Sequence, residues 1–168
     1  ILMNFVDNHD ENSWNGTIQS RLGAAEEAVT ALTYVTPGMP LVYSGNEYGL
    51  KHSLKFFEKD SIPKTKGKDW ELRAKLGQLK NENPALHGGK NPASYKRIAT
   101  NNDTNILAFE REKEGKKVIY VANLSKTNQK VKLEYSGSFT NFMTNERVEF
   151  SKGKEISLQP WQYYIVTN

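Results

Sequence analysis

The stretch Phe5–Gly16, FVDNHDENSWNG, marks the point where an apolar run gives way to a polar loop. The run begins upstream, because residues 1–6 read ILMNFV and are almost continuously apolar. Such a run is expected of a parallel strand that is buried on both faces. In parallel α/β sheets, ligands collect beyond the carboxyl ends of the strands. The polar loop is therefore the first candidate for a functional site.

The remainder of the N-terminal half alternates helix and strand. A period of three to four in the apolar residues predicts a helix over Gln19–Tyr34, and the sequence TPG after it ends that helix. Pro40–Gly45, PLVYSG, is a second short apolar run. A second helix is predicted over Asp69–Glu82, with Leu72, Leu76 and Leu79 as its apolar stripe, Asp69 as its cap and Pro84 after its end. A strand–helix–strand–helix order is typical of a parallel sheet.

The C-terminal half has a different pattern. From Tyr95 onward, short strand-like stretches follow one another and are separated by turn-forming residues such as Asn101-Asn102-Asp103 and Glu114-Gly115. The pattern predicts an antiparallel β-sandwich or barrel of roughly seven or eight strands. Residues 118–123, VIYVAN, are apolar on both faces of a strand, so this strand is predicted to be central. Residues 84–94 are rich in Gly, Asn and Pro, so we predict one domain over 1–90 and a second over 91–168.

Composition excludes several classes of protein and of site. The 168 residues contain no cysteine, so disulfides and thiolate metal sites are ruled out. The net charge of +4 comes from dispersed lysines, without the basic block of a nucleic-acid interface. No stretch is long and apolar enough to predict membrane insertion. Because the chain opens in the middle of a strand pattern, we expect it to be a piece of a longer polypeptide.

Two loops carry the polar residues that could form a site. If the two predicted strands are neighbours, their loops converge on one rim of the sheet. Carboxylates beside hydrogen-bond donors and aromatic faces suit a sugar, because a sugar offers hydroxyl groups and flat C–H faces. The candidates are Asn8, His9, Asp10 and Trp14 in the first loop, and Asn46 and Glu47 in the second.

Structural roles compete with each of these assignments. Asn and Asp favour turns, so the sequence Asn-His-Asp is equally compatible with simple turn chemistry. Trp14 alone is compatible with packing of its loop, and Glu47 with a hydrogen-bonding role in the turn. His9 and Asp10 are adjacent and lack the spacing of metal ligands, so no metal site is predicted.

Several motifs in order resemble the α-amylase family of glycoside hydrolases (family 13). FVDNHD is similar to the region after the seventh strand of that family's barrel, and TPGMPLVYSGNEYG resembles its eighth strand, with the pattern Gly-x-Pro-x-x-Tyr-x-Gly-x-Glu. FFEKDSI, VANLS and LQPWQYYIV resemble later segments. The resemblance implies a fold that is α/β plus all-β: a partial (β/α)8 TIM barrel, with strands 7 and 8 and their helices, followed by an antiparallel β-sandwich domain.

The resemblance also implies roles for individual residues. Asp10 would be the carboxylate that stabilises the transition state, and His9 would donate a hydrogen bond to the same sugar hydroxyls. Asn8, Trp14, Asn46 and Glu47 are expected to contact substrate, although Asn46 stands where the family usually has Gln. The family's nucleophile and general acid come from its fourth and fifth strands, and no segment here matches either.

The function expected from this resemblance is that of the C-terminal fragment of a retaining α-glucan hydrolase, inactive alone. The full enzyme would cleave α-1,4-glucosidic bonds in starch or maltooligosaccharides. Alternatives are a non-catalytic carbohydrate-binding or stabilising module, or part of an α-glucanotransferase. Expected partners are α-glucan and the remainder of the barrel, with self-association as an option for the isolated piece. No cofactor is expected in this segment, calcium being held by earlier domains of relatives, and polymeric substrates favour an extracytoplasmic location.

Overall fold

The computed structural model describes residues 2–168 of the chain. Two compact units divide the polypeptide, Ile1–Lys80 and Asn81–Asn168, whereas the sequence pattern put the domain boundary after residue 90. The difference arises because the short helical turn Pro84–Leu86 packs against strands Ile106–Lys113 and Lys116–Asn123 of the second unit. The Gly- and Asn-rich segment therefore lies inside the second unit.

The strands of the first unit are short and parallel. β1 is Met3–Asn4 and β2 is Met39–Pro40, with Met3 opposite Met39. The two strands are neighbours, as the convergence of their loops requires. Both are shorter than the predicted runs Ile1–Val6 and Pro40–Gly45, because each has one partner along residues 2–80; Ile1 itself lies outside the described residues. A barrel is not evident in this pair, so the barrel assignment stays a prediction.

The helix predicted over Gln19–Tyr34 is present but interrupted. It consists of α1 (Ile18–Leu22), a 3₁₀ turn (Gly23–Ala25) and α2 (Glu26–Val35). The interruption falls where Gly23 adopts φ of 51°, a conformation that a helix interior does not contain. The first helix begins where the Thr17 hydroxyl accepts a hydrogen bond from the Ser20 amide.

The third helix, α3, spans Lys68–Glu82. The prediction of Asp69 as its cap is wrong, since the helix begins one residue earlier and Asp69 lies in the first turn. There its carboxylate suits the positive end of the helix dipole and lies 3.5 Å from the Arg73 guanidinium. Leu76 and Leu79 are buried, as the apolar stripe predicted. Among residues 2–168, no helix has the length and apolar character to cross a membrane.

The second unit is an antiparallel β domain. Its strands are β3 (Lys96–Arg97), β4 (Ile106–Lys113), β5 (Lys116–Asn123), β6 (Gln129–Lys132), β7 (Gly137–Asn141), β8 (Arg147–Phe150), β9 (Glu155–Leu158) and β10 (Tyr163–Thr167). In this fully described unit, one sheet has the order β3-β4-β5-β10-β7-β8, and β6 pairs with β9 in the other. Every pairing is antiparallel. The antiparallel prediction is therefore confirmed.

Both sheets of the second unit contribute to one apolar core. Buried side chains from β4, β5 and β10 pack with those of β6 and β9, for example Ile119 with Val131 and Leu158 in a single cluster. β5 lies between β4 and β10 and is buried along most of its length, as its two-sided apolar pattern predicted. β7 is not predicted by the sequence pattern, because GSFTN contains one large apolar residue and opens with a glycine.

Candidate functional site

The loop after β1 forms a helical turn around Asn8. The Asn8 side-chain oxygen accepts a hydrogen bond from the Glu11 amide at 2.8 Å, and its backbone carbonyl accepts one from the Asn12 amide at 3.0 Å. The Asn8 amide oxygen thus satisfies one of the amides that the start of a helical turn leaves without a partner. These contacts agree with the turn-forming alternative for Asn8, and its contact with substrate stays a prediction.

His9 and Asp10 lie together on the outside of this turn. Their side chains are 64% and 62% exposed, and the His9 Nε2 atom lies 3.5 Å from an Asp10 carboxylate oxygen. Asp10 has helical backbone angles and precedes the wide turn Glu11–Asn15. An exposed carboxylate beside an exposed imidazole can accept and donate hydrogen bonds to the hydroxyl groups of one ligand.

Asp7 lies buried at the centre of the candidate site. It is not among the site residues predicted from the sequence. Its carboxylate accepts hydrogen bonds from the Arg21 guanidinium at 2.7 Å, the Asn46 amide at 3.0 Å and the Asn12 amide at 3.4 Å. A fully buried carboxylate requires such partners, since an uncompensated charge inside a protein is costly. Asp7 therefore ties the loop after β1 to helix α1 and to the loop after β2.

Asn46 and Glu47 stabilise the loop after β2. Asn46 is buried, and its side-chain oxygen accepts a hydrogen bond from the Tyr43 amide at 3.2 Å while its amide group donates to Asp7. Glu47 accepts one from the Gly45 amide at 3.1 Å. The contact of Glu47 agrees with its alternative role, which is hydrogen bonding within the turn. Substrate contact by either residue stays a prediction.

A third loop is fastened to the first. The Asn12 side-chain oxygen accepts a hydrogen bond from the Leu54 amide at 2.7 Å, and the Ser13 hydroxyl donates one to the Leu54 carbonyl at 3.3 Å. Both backbone groups of Leu54 are therefore held by side chains of the turn that follows Asp10. The residues after Leu54 are brought to the same rim as a result.

Aromatic rings gather where these loops meet. Phe56 packs against Trp14 with ring centres 5.5 Å apart, against His9 at 6.1 Å, and edge-on against Phe57 at 4.8 Å. We call Trp14, Phe56 and Phe57 the aromatic cluster. All three side chains are exposed, Phe57 to 86% and Trp14 to 64%. The segment FFEKDSI resembles a family motif, but the sequence does not predict a site at Phe56 and Phe57. Two adjacent phenylalanines do not indicate which ring is exposed to solvent.

Local electrostatics around the rim have identifiable causes. Burial, together with the charge of Asp7, raises the pKa of the Tyr43 phenol above its ordinary value. Backbone hydrogen bonds from Lys55 and Ser61 hold the pKa of Asp60 below its ordinary value, with His52 3.4 Å away as a further contribution. The Asp60 carboxylate thereby closes the loop that carries Phe56.

No group of three or more metal-ligating His, Cys, Asp or Glu side chains is found over residues 2–168. His9 and Asp10 lie side by side without a third ligand of that kind in the described part. Calcium in other parts of a longer polypeptide stays a prediction.

The second unit is similar to a domain of known amylases. The family described as "Maltogenic Amylase, C-terminal domain" matches residues 95–165. A curated relative, the Beta/alpha-amylase of Paenibacillus polymyxa, is 24% identical over an alignment of 177 positions that covers 97% of this chain and 14% of that protein. Together these matches support a C-terminal domain of the type found in family 13 amylases.

Solved amylases share the fold. The noncanonic maltogenic α-amylase AmyB from Thermotoga neapolitana superposes with a TM-score of 0.82 at 20% identity, covering 99% of this chain and 41% of that one. The α-amylase of Geobacillus thermoleovorans, solved with acarbose, gives 0.77 at 16% identity over 99% of this chain and 38% of its own. The γ-cyclodextrin glucanotransferase (CGTase) of Bacillus clarkii gives 0.72 at 18% identity, covering 99% of this chain and 26% of that chain. The chain therefore spans well under half of each.

Proposed function

We propose that this chain supplies one rim of the active site and the C-terminal β domain of a retaining α-glucan hydrolase of the α-amylase type. The observation that carries the proposal is the exposed pair His9 and Asp10 on a turn anchored by buried Asp7. The turn follows the carboxyl end of a parallel strand, where ligands of α/β proteins bind. The aromatic cluster beside it offers faces for a sugar ring.

In this proposal Asp10 stabilises the positive charge that develops on the sugar during bond cleavage. Its carboxylate and the His9 imidazole hold sugar hydroxyls while the anomeric carbon takes on positive charge, an interaction that strengthens in the transition state. A nearby negative charge also raises the pKa of the carboxylic acid that protonates the leaving group. Retention of configuration requires two further carboxyl groups about 5–5.5 Å apart. We assign both to other parts of the complete polypeptide.

On the same proposal the 168-residue chain is inactive alone, because the two further carboxyl groups belong to other parts of the complete polypeptide. The first unit also has an apolar surface that those parts would cover. Large apolar side chains on and beside β1 and β2 are exposed, and they are Leu2, Met3, Phe5, Met39 and Val42. Apolar strands with open edges invite pairing with further strands. We propose that the remainder of a barrel covers them in the complete enzyme. Self-association of the isolated chain is the alternative that sedimentation would reveal.

The decisive experiment replaces Asp10 with Asn in the complete polypeptide. We expect kcat on maltoheptaose to fall about 100- to 1000-fold, the range for removing one preorganised stabilising group. Glu149→Gln is the matched control, since it also removes an exposed carboxylate, on β8 of the second unit, and should leave the rate unchanged. An Asp10→Asn enzyme with the normal rate would rule out the proposed role.

Glycosyl transfer is a second candidate, because the CGTase of Bacillus clarkii shares the fold. Hydrolysis and transfer would use Asp10 and His9 in the same way and differ in the acceptor. Product analysis after incubation with maltoheptaose separates them, since a hydrolase yields shorter linear sugars and a transferase also yields longer or cyclic ones.

A further inference from the structure

We propose that Trp14 and Phe56 form a stacking platform for a glucosyl ring next to Asp10, and that Asn12 positions this platform. The inference rests on the proposed function and identifies a binding surface for the same substrate class. It also gives a buried residue, Asn12, a role in substrate affinity.

The platform is continuous with the proposed catalytic pair. The Phe56 ring lies 6.1 Å from the His9 ring and 5.5 Å from the Trp14 ring, with interplanar angles of 36° and 41°. The His9, Phe56 and Trp14 rings therefore contact one another in tilted pairs, neither stacked flat nor edge-on. His9 in turn lies 3.5 Å from Asp10. A sugar chain held by Asp10 at one ring would reach the platform with a neighbouring ring.

The chemistry of the surface favours a sugar as its occupant. A glucosyl unit has an apolar C–H face that packs on an aromatic ring, and a polar rim of hydroxyls that needs donors and acceptors. The cluster provides the rings, and His9 and Asp10 provide the polar groups at its border. Aromatic side chains with one wet side are well suited to such amphipathic ligands.

Asn12 is the residue that positions the platform in this proposal. It is buried, and its amide group donates to Asp7 at 3.4 Å while its oxygen accepts from the Leu54 amide at 2.7 Å. Leu54 precedes Phe56 by two residues, and Asn12 precedes Trp14 by two. One side chain therefore links the segment that carries Trp14 to the segment that carries Phe56. Ser13 adds the contact to the Leu54 carbonyl.

A double-mutant cycle in the complete polypeptide tests the platform and its positioning together. Phe56→Ala should raise KM for maltoheptaose about tenfold with kcat changed less than about twofold, because the ring binds substrate and transition state alike. Asn12→Asp keeps the shape but turns the donor toward Asp7 into a second carboxylate, and it should raise KM in the same way. Tyr95→Ala is the control, since Tyr95 is exposed to 47%, much like Phe56 at 45%, and should leave KM unchanged.

The combined variant distinguishes positioning from general structural damage. If Asn12 acts through Phe56, Asn12→Asp together with Phe56→Ala should raise KM no more than Phe56→Ala alone. Independent effects that multiply would overturn the positioning role, and an unchanged KM in Phe56→Ala would overturn the platform. Should Asn12→Asp fail to fold, Ser13→Ala replaces it in the cycle with the same criterion.

The outcome is separable from that of the proposed function. A raised KM in Phe56→Ala with a normal rate in Asp10→Asn would leave the platform standing and remove the catalytic assignment. A normal KM in Phe56→Ala with a lost rate in Asp10→Asn would do the reverse.

Discussion

The two units of the chain use buried polar groups for different purposes. In the first, Asp7 gathers Arg21, Asn12 and Asn46 and so connects loops. In the second, Glu110 is buried on a strand and receives hydrogen bonds from Tyr135 and Lys117, so it connects the sheet to the segment beyond β6. The first network connects the loops of the candidate site, whereas the second connects segments that surround a buried core.

Apolar side chains show the same contrast. β4, β5 and β10 bury most of their apolar residues, whereas β1 and β2 carry exposed Met3 and Met39. Burial of apolar area is the main favourable contribution to folding. We therefore expect the second unit to depend on its core and the first unit's loops to depend on polar contacts, and the predictions below test this difference.

The largest expected effect is on the core of the second unit. Ile119→Ala should destabilise that unit by about 3–4 kcal/mol, because it removes a fully buried side chain and leaves a cavity. Hydrogen exchange of peptides from residues 81–168 in the complete polypeptide would report the loss. Glu58→Ala, at an exposed position of the first unit, should change protection by no more than about 0.5 kcal/mol there. Equal effects of the two changes would contradict the comparison.

A smaller but local effect is expected at Asp7. Asp7→Asn keeps the shape of the side chain and removes the charge that pairs with Arg21, so it should cost about 2–3 kcal/mol, below the range for a completely buried pair because Arg21 is partly exposed. Exchange should rise in residues 5–15 and 43–57 together. Glu11→Gln removes the weaker acidic neighbour of Arg21, 3.5 Å away, and serves as control. If residues 43–57 kept their protection, Asp7 would not connect the loops.

The Tyr135–Glu110 contact predicts a pH dependence. Burial, with the hydrogen bond to Glu110, raises the pKa of the Tyr135 phenol to about 12. Because the pKa in the folded protein is the higher one, the contribution to stability is complete below the ordinary value near 10 and is lost as pH rises toward 12. Tyr135→Phe should cost about 1–2 kcal/mol at pH 8 and flatten the fall in melting temperature between pH 10 and 12. A variant that melts as steeply as the wild type over that interval would disprove the assignment.

Glu110 gives the acidic counterpart of this dependence. Burial alone would raise the pKa of the Glu110 carboxyl, but the hydrogen bonds from Tyr135 and Lys117 outweigh it and hold the pKa below its ordinary value. The stabilising contribution is therefore present above the ordinary value and is lost as pH falls through the lowered one. Tyr135→Phe should make the protein melt with a shallower dependence at low pH as well.

The smallest effect is expected at the surface. Lys130→Ala removes an ion pair with Glu155 between β6 and β9, in which both side chains are well exposed. Such pairs contribute about 0–1 kcal/mol, so the melting temperature should stay nearly unchanged. A large loss would mean that the β6–β9 pair depends on polar contacts as the first unit's loops do.

The parts of the fold that could be predicted from sequence are those with strong periodic signals. The two-sided apolar pattern of β5 predicted a central strand, and the stripe of Leu76 and Leu79 predicted a helix. β7 was missed because its burial depends on pairing with β8 and β10, which its own five residues do not announce. The start of α3 was misplaced by one residue, since Asp is favourable both at the cap and in the first turn.

The candidate site divides in a similar way. The polar loops after β1 and β2 could be located from the ends of apolar runs, and their convergence followed once the strands proved to be neighbours. The role of Asp7 could not be predicted, because its three partners come from separate segments. Phe56 likewise lies at the rim through long-range contacts, among them those of Asn12 and Ser13 with Leu54, which link residues about forty positions apart.

The buried contacts of Asp7 and Asn12 have a consequence for how this rim could be altered. Exchanging the third loop for one from another protein would leave the Asn12 side-chain oxygen without its hydrogen-bond donor unless the incoming backbone placed an amide at the position of Leu54. Changing Asn46 to the longer Gln would similarly require Asp7 to shift. Redesign of this rim therefore has to exchange residues from all the joined segments as one set, and libraries that randomise a single loop should yield few variants that fold.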